Sequence, residues 1–92
     1  MYAVVVEVQI SVSDEEAIKH LKEEVVPMAK QLPGFQSGYW MPKDGTGVGL
    51  EIFDTEENAK GALQMVPVGS SPGPGVTVTR SEVRPVAASA GR

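Results

Sequence analysis

The first dozen residues constrain the chain most. Tyr2, Val4, Val6, Val8, Ile10 and Val12 alternate with Ala3, Val5, Glu7, Gln9 and Ser11. A period of two sends these sets to opposite sides of a pleated strand. The even set is wholly apolar or aromatic and has to be covered. The odd set turns polar after Val5 and tolerates water. The rest of the chain therefore has to supply a cover for one face of this strand.

Helix signals follow at once. Ser13 with Glu16 forms a capping box, and Asp14, Glu15 and Glu16 place negative charge in the first turn, where the helix dipole favours it. Ile18, Leu21, Val25, Met28, Ala29 and Leu32 recur at three and four, so one apolar stripe runs to about Leu32. Pro27 removes one backbone bond inside that helix and should kink it. Pro33-Gly34 ends it. Phe35 to Met41 reads as a second strand, with Phe35, Ser37, Tyr39 and Met41 on one face and Gln36, Gly38 and Trp40 on the other. Asp44-Gly45 is a hairpin signal, and Val48 to Phe53 reads as a third strand. Asp54 with Glu57 repeats the capping pattern ahead of a shorter helix carrying Ala59, Ala62, Leu63 and Val66, which Pro67 ends. Val68 to Gly75 is loop, and Val76 to about Val83 is a β-branched fourth strand.

The order βαββαβ folds economically as two interleaved right-handed crossovers. The expectation is an α+β, ferredoxin-like domain: a four-stranded antiparallel sheet with two helices on one face. It spans residues 1–88, and a frayed tail covers residues 89–92. On that expectation the even residues of the first strand face the helices, with Phe35, Leu50, Ile52, Val76 and Val78. Trp40, Phe53 and Glu51 then lie on the bare sheet face. An indole and a phenyl ring on an open face call for a partner, so a second copy packing sheet to sheet is expected and those three residues are placed at its seam.

Composition narrows the partners. Ninety-two residues make one domain that buries only a little over ~60% of its unfolded surface, and pairing is a common remedy. Eight Lys and Arg against twelve Asp and Glu leave a net charge of −4, which disfavours nucleic acid and anionic membranes. No apolar run has the length of a membrane span, and the alternating N-terminus is unlike a secretory signal. A soluble cytoplasmic protein is the expectation. The chain has no cysteine, hence no disulfide or thiolate site, and no ligand spacing that suggests a metal.

Met1-Tyr2-Ala3 opening an alternating strand, Val25-Val26-Pro27 followed by Leu32-Pro33-Gly34-Phe35, and Gly49–Phe53 followed by Asp54-Thr55-Glu56-Glu57 together resemble the dimeric α+β barrel group, in particular antibiotic biosynthesis monooxygenase-like domains. The resemblance implies a homodimer whose two sheets form a shared barrel. It implies activities that include cofactor-free oxidation of aromatic compounds, or haem degradation, with many members unassigned. The haem-degrading members join an asparagine, a tryptophan and a histidine. Here the sole asparagine, Asn58, falls on the second helix. No cofactor is expected.

Three functional readings stand. The first is a cofactor-independent monooxygenase acting on a small aromatic compound held between sheet and helices, with Tyr39 and His20 as its polar groups and Ser37, Met41 and Leu50 lining the pocket. The second is a non-catalytic homodimer that binds a small apolar ligand or a protein. The third is an isomerase or decarboxylase of the same barrel group. Each candidate has a plainer role. His20 sits between Glu16 and Glu24 on a charged helix ladder, which favours a solvated side chain. Tyr39 and Trp40 are more often packing residues than chemical ones. Glu7 and Glu51 are placed together on the open face: buried together they could do acid–base work, but such residues more often sit in a wet barrel interior or pair with a base such as Arg80 across the seam.

Overall fold

A computed structural model describes residues 1–91; Arg92, the end of the expected tail, lies outside the described residues. The strands are β1 (Tyr2–Ile10), β2 (Phe35–Lys43), β3 (Thr46–Phe53) and β4 (Val76–Pro85). They form one antiparallel sheet in the order β2-β3-β1-β4. The alternating strand is thus central, paired with β3 on one side and β4 on the other. The helices are α1 (Asp14–His20), α2 (Val26–Ala29) and α3 (Glu56–Leu63). This α+β arrangement is compatible with a ferredoxin-like fold. No helix among the described residues is long and apolar enough to cross a membrane.

The local signals act where expected, with small shifts. Ser13 Oγ accepts from the Glu16 amide at 3.2 Å and starts α1. In α3 the cap falls one residue later than expected. Thr55 Oγ1 accepts from the Asn58 amide at 3.2 Å, while Asp54 Oδ1 accepts from Asn58 Nδ2 at 2.8 Å. Asp44 and Gly45 alone join β2 to β3, with φ of 49° and 79°. Two positive φ values make the mirror-image turn whose twist suits a hairpin.

The long first helix is not continuous. Between α1 and α2, Leu21–Val25 forms a π-helical turn in which the Val26 amide reaches back to the Leu21 carbonyl. Pro27 follows as the second residue of α2. It has no N–H, and its ring crowds the carbonyl four residues back. One widened turn ahead of it relieves that crowding, a recognised cause of a bend.

The face assignment of β2 and β3 is the main correction. Opposite Tyr2, Val4, Val6 and Val8 stand Phe53, Glu51, Gly49 and Gly47. These odd residues therefore share the helix-covered side. Val48, Leu50 and Ile52 lie on the open side with Glu7, Val5 and Ala3. The reason lies in β2. The register slips between Phe35 and Ser37, leaving Gln36 as an extra residue. A bulge of this kind changes the parity of everything beyond it. Phe35 faces inward opposite Phe53; Gly38, Trp40 and Pro42 also face inward; Ser37, Tyr39 and Met41 face outward. Phe53 is fully buried and meets Phe35 edge to face, with centroids 5.9 Å apart at 76°. Val4, Phe53, Ala59 and Ala62 form the dense core, flanked by Tyr2, Leu32 and Leu63. It lies beneath α3.

Candidate functional site

The core fills only one end of the space between sheet and helices. α3 packs directly on β1, β3 and β4, whereas the run from α1 to α2 approaches the sheet less closely. Beneath that run Val6, Val8, Ile10, Leu21 and Val25 stay half-exposed although they face inward. They line a cavity of about 140 Å³ together with Ala17, His20, Met28, Trp40, Glu51 and Met65. An apolar cavity of ~150 Å³ accepts a benzene-sized guest.

Glycines make the space. Gly38, Gly47 and Gly49 all occupy inward-facing positions. The Trp40 ring lies along the sheet surface across two of them. A Cβ at Gly38 would fall 2.7 Å from Trp40 Cη2, and one at Gly49 would fall 3.3 Å from Trp40 Cδ1. A side chain at either position would press on the indole. The indole thus forms part of the sheet-side wall, with Val6 and Val8 beside it on β1.

Two titratable side chains stand on this wall. His20 comes from the last turn of α1, directly before the π-helical turn. Its Nδ1 lies 2.8 Å from Glu24 Oε2, and its side chain is 22% exposed. Nδ1–H donating to that carboxylate leaves Nε2 with a free lone pair. Nε2 is buried and has no hydrogen-bond partner among the described residues. A Cβ on Gly73 would lie 2.5 Å from it, so the glycine in the Pro72-Gly73-Pro74 segment is what leaves room for the ring. His20 thus joins the charged ladder through Glu24, as its neighbours suggested, but its ring is largely buried rather than solvated. A histidine fixed at one nitrogen by a carboxylate and free at the other has the arrangement of a general base.

Glu51 comes from β3, opposite Val4 and Gly38. Burial raises its carboxyl above its ordinary value, because a charged carboxylate is poorly solvated among apolar walls. It stands apart from the ion pairs of the open face. There Arg80 meets Glu7 at 3.2 Å and Glu82 at 2.7 Å, and Arg84 Nε meets Glu82 at 2.9 Å. Hydrogen bonding from Arg84 holds the Glu82 carboxyl below its ordinary value. Glu7 thus pairs with Arg80 of its own chain, across neighbouring strands.

The expected site residues redistribute. Tyr39 is 60% exposed on the open face, on the far side of the sheet from the cavity. Ser37 and Leu50 share that face, and both were expected inside. Met41 belongs to the same outward set and is half exposed, though at the hairpin end it also borders the cavity. Trp40 and Glu51, expected at a dimer seam, line the cavity instead. Phe53, expected at the same seam, is in the core. His20 alone of the two proposed polar groups lies where a ligand would sit. The inward glycines were missed, and Gly47-x-Gly49 on a strand was the signal that could have found them. Among the described residues no three histidine, aspartate or glutamate side chains cluster as metal ligands.

The chain matches no protein-family model, and no curated protein is significantly similar to it in sequence.

Proposed function

We propose that the protein is a small-molecule enzyme whose cavity takes one electron-rich aromatic ring and whose base is His20. The observation that carries this reading is His20 on the wall of an apolar cavity, its Nδ1 held by Glu24 and its Nε2 buried against Gly73 without a partner, so that a ring displacing the Pro72-Gly73-Pro74 segment meets Nε2. A base so placed removes a weakly acidic proton from a ring held against it, and apolar walls exclude the water that would compete. The reaction class that fits the resemblance is monooxygenation without a cofactor. The proton passes to Nε2, the carbanion left behind gives its electrons to dioxygen, and a ring CH2 of the keto tautomer becomes C=O. One oxygen atom stays in the product and the other leaves in water with the two hydrogens.

We further read the protein as a homodimer that pairs through the open sheet face. Tyr39, Met41 and Val48 are exposed there in front of Val5, Leu50 and Ile52. That apolar surface supports the seam, in place of Trp40, Phe53 and Glu51. Such an arrangement is the dimeric α+β barrel of the ferredoxin-like class.

Trp40 is the only tryptophan and sits in the cavity wall, so its fluorescence reports occupancy. Phenol should quench or shift it saturably. Oxygen uptake with resorcinol as substrate should fall at least ~100-fold in His20→Gln, the size typical of losing a general base, while phenol still binds. Unchanged uptake would remove His20 from the chemistry. Binding of phenol without any oxygen uptake in the unmodified protein would favour the non-catalytic ligand carrier.

A further inference from the structure

His20 accounts for one polar group on the cavity wall and leaves Glu51 without a task. Resting on the reading of the cavity as a ring-binding site, we propose that Glu51 recognises the ligand. Its carboxyl donates a hydrogen bond to a carbonyl or phenolate oxygen on a planar ring beside Trp40, so the cavity selects oxygen-bearing aromatics over hydrocarbons and amines.

The geometry points this way in four steps. Glu51 lies on a central strand and faces inward, between Phe53 of the core and Gly49 of the cavity floor. Its neighbour across the sheet is Gly38, over which the Trp40 benzo edge lies. Carboxyl and indole are therefore adjacent by register, one offering a polar point and the other a flat apolar surface. Next, Glu51 joins none of the ion pairs among the described residues, and Arg80 and Arg84 lie on the opposite face of the sheet. No cation among the described residues pairs with it. Burial instead favours the protonated form, and a protonated carboxyl is a hydrogen-bond donor. Last, a donor set among apolar walls acts most strongly on an oxygen that gains charge, because fewer waters screen it there than at an open surface. An enolate or phenolate formed when His20 takes its proton is such an oxygen. Glu51 thus holds the electron pair's new position while His20 Nε2 holds the proton. Nothing else is gained or lost in that step.

A carboxylate beside an indole is also what an organic cation would seek, so the test separates the two. The probes are phenol, toluene and benzylamine, each titrated at pH 7 with Trp40 fluorescence and checked by calorimetry. The proteins are the unmodified chain, Glu51→Gln and Glu51→Leu. The proposal expects phenol to bind about tenfold more tightly than toluene, the worth of one good hydrogen bond. It expects benzylamine to bind worst. Glu51→Gln, whose amide still donates, should keep the preference for phenol to within about threefold. Glu51→Leu should bind phenol and toluene alike. Equal binding of phenol and toluene by the unmodified chain would overturn the assignment, as would tightest binding of benzylamine or a preference that survives in Glu51→Leu. Failure of all three probes to bind would instead overturn the cavity reading on which this rests.

Discussion

Phe53→Ala tests the face assignment on which the site depends. Phe53 has no exposed surface and sits in the densest part of the core with Val4, Ala59 and Ala62. Truncating a buried phenylalanine costs about 3–5 kcal/mol in lost transfer energy and residual cavity. Part of that, ~0.5–1.5 kcal/mol, is the edge-to-face contact with Phe35. In a domain of this size each kcal/mol moves Tm by about 4–8 °C, so a fall of roughly 12–40 °C is expected. Far-UV circular dichroism melts at two concentrations about a hundredfold apart carry the decisive comparison. An inward Phe53 gives the same fall at both, since the loss belongs to the folded chain itself. A residue at a subunit seam gives a loss that grows on dilution, because association then contributes to stability. A fall under ~4 °C, or one confined to the dilute sample, would refute the inward placement. The milder Phe53→Leu should land between the two proteins.

Two further outcomes follow from the other groups. Tyr39→Asp places a charge in the middle of the exposed apolar patch of the open face. It should lower the mass seen in sedimentation at micromolar concentration without lowering Tm extrapolated to infinite dilution, and an unchanged mass would remove this face from the dimer. Glu51→Gln should change the pH dependence of stability. The folded Glu51 carboxyl holds its proton above its ordinary value of 4.5. The native state therefore binds more protons there than the unfolded one, and stability falls as pH rises from that value through the folded one. The amide is spared this loss. The variant should match the unmodified protein near pH 3.5 and exceed it by a growing margin toward neutrality, with His20 the other titratable group on the cavity wall. A constant difference across that range would show that burial does not govern Glu51.

Much of the architecture was legible because local signals agreed with each other. The alternation from Tyr2, the Ser13 cap and the Asp44-Gly45 turn each forced one conformation, and the structure has all three. The inside and outside of β2 and β3 were not legible, for a physical reason. β3 carries apolar residues on both faces, Leu50 and Ile52 on one and Phe53 on the other, so hydrophobicity alone leaves its parity undecided. In β2 the spacing of Phe35 and Tyr39 suggests one shared face, but one unpaired residue between them breaks the count. The site was lost with the parity, because Trp40 and Glu51 turn inward while Tyr39 turns out. The π-helical turn was hidden too. A proline signals a disturbance without saying which way the backbone will relax. His20 was read from its acidic neighbours, one of which does bind it. What they did not reveal is that the ring's far edge is sealed by a glycine more than fifty positions along the chain.

The unpaired Gln36 has an implication for how this chain tolerates changes in length. Most single-residue deletions within a strand invert every neighbour out to the nearest turn. Gln36 is already surplus to the ladder, so losing it leaves Phe35 opposite Phe53 and Ser37 opposite Ile52. The strand has slack at one place only. A genetic lineage could shorten the chain there and keep the indole and its acid on the same side, whereas a deletion at Met41 or Pro42 would force it to choose between an inward indole and its hairpin.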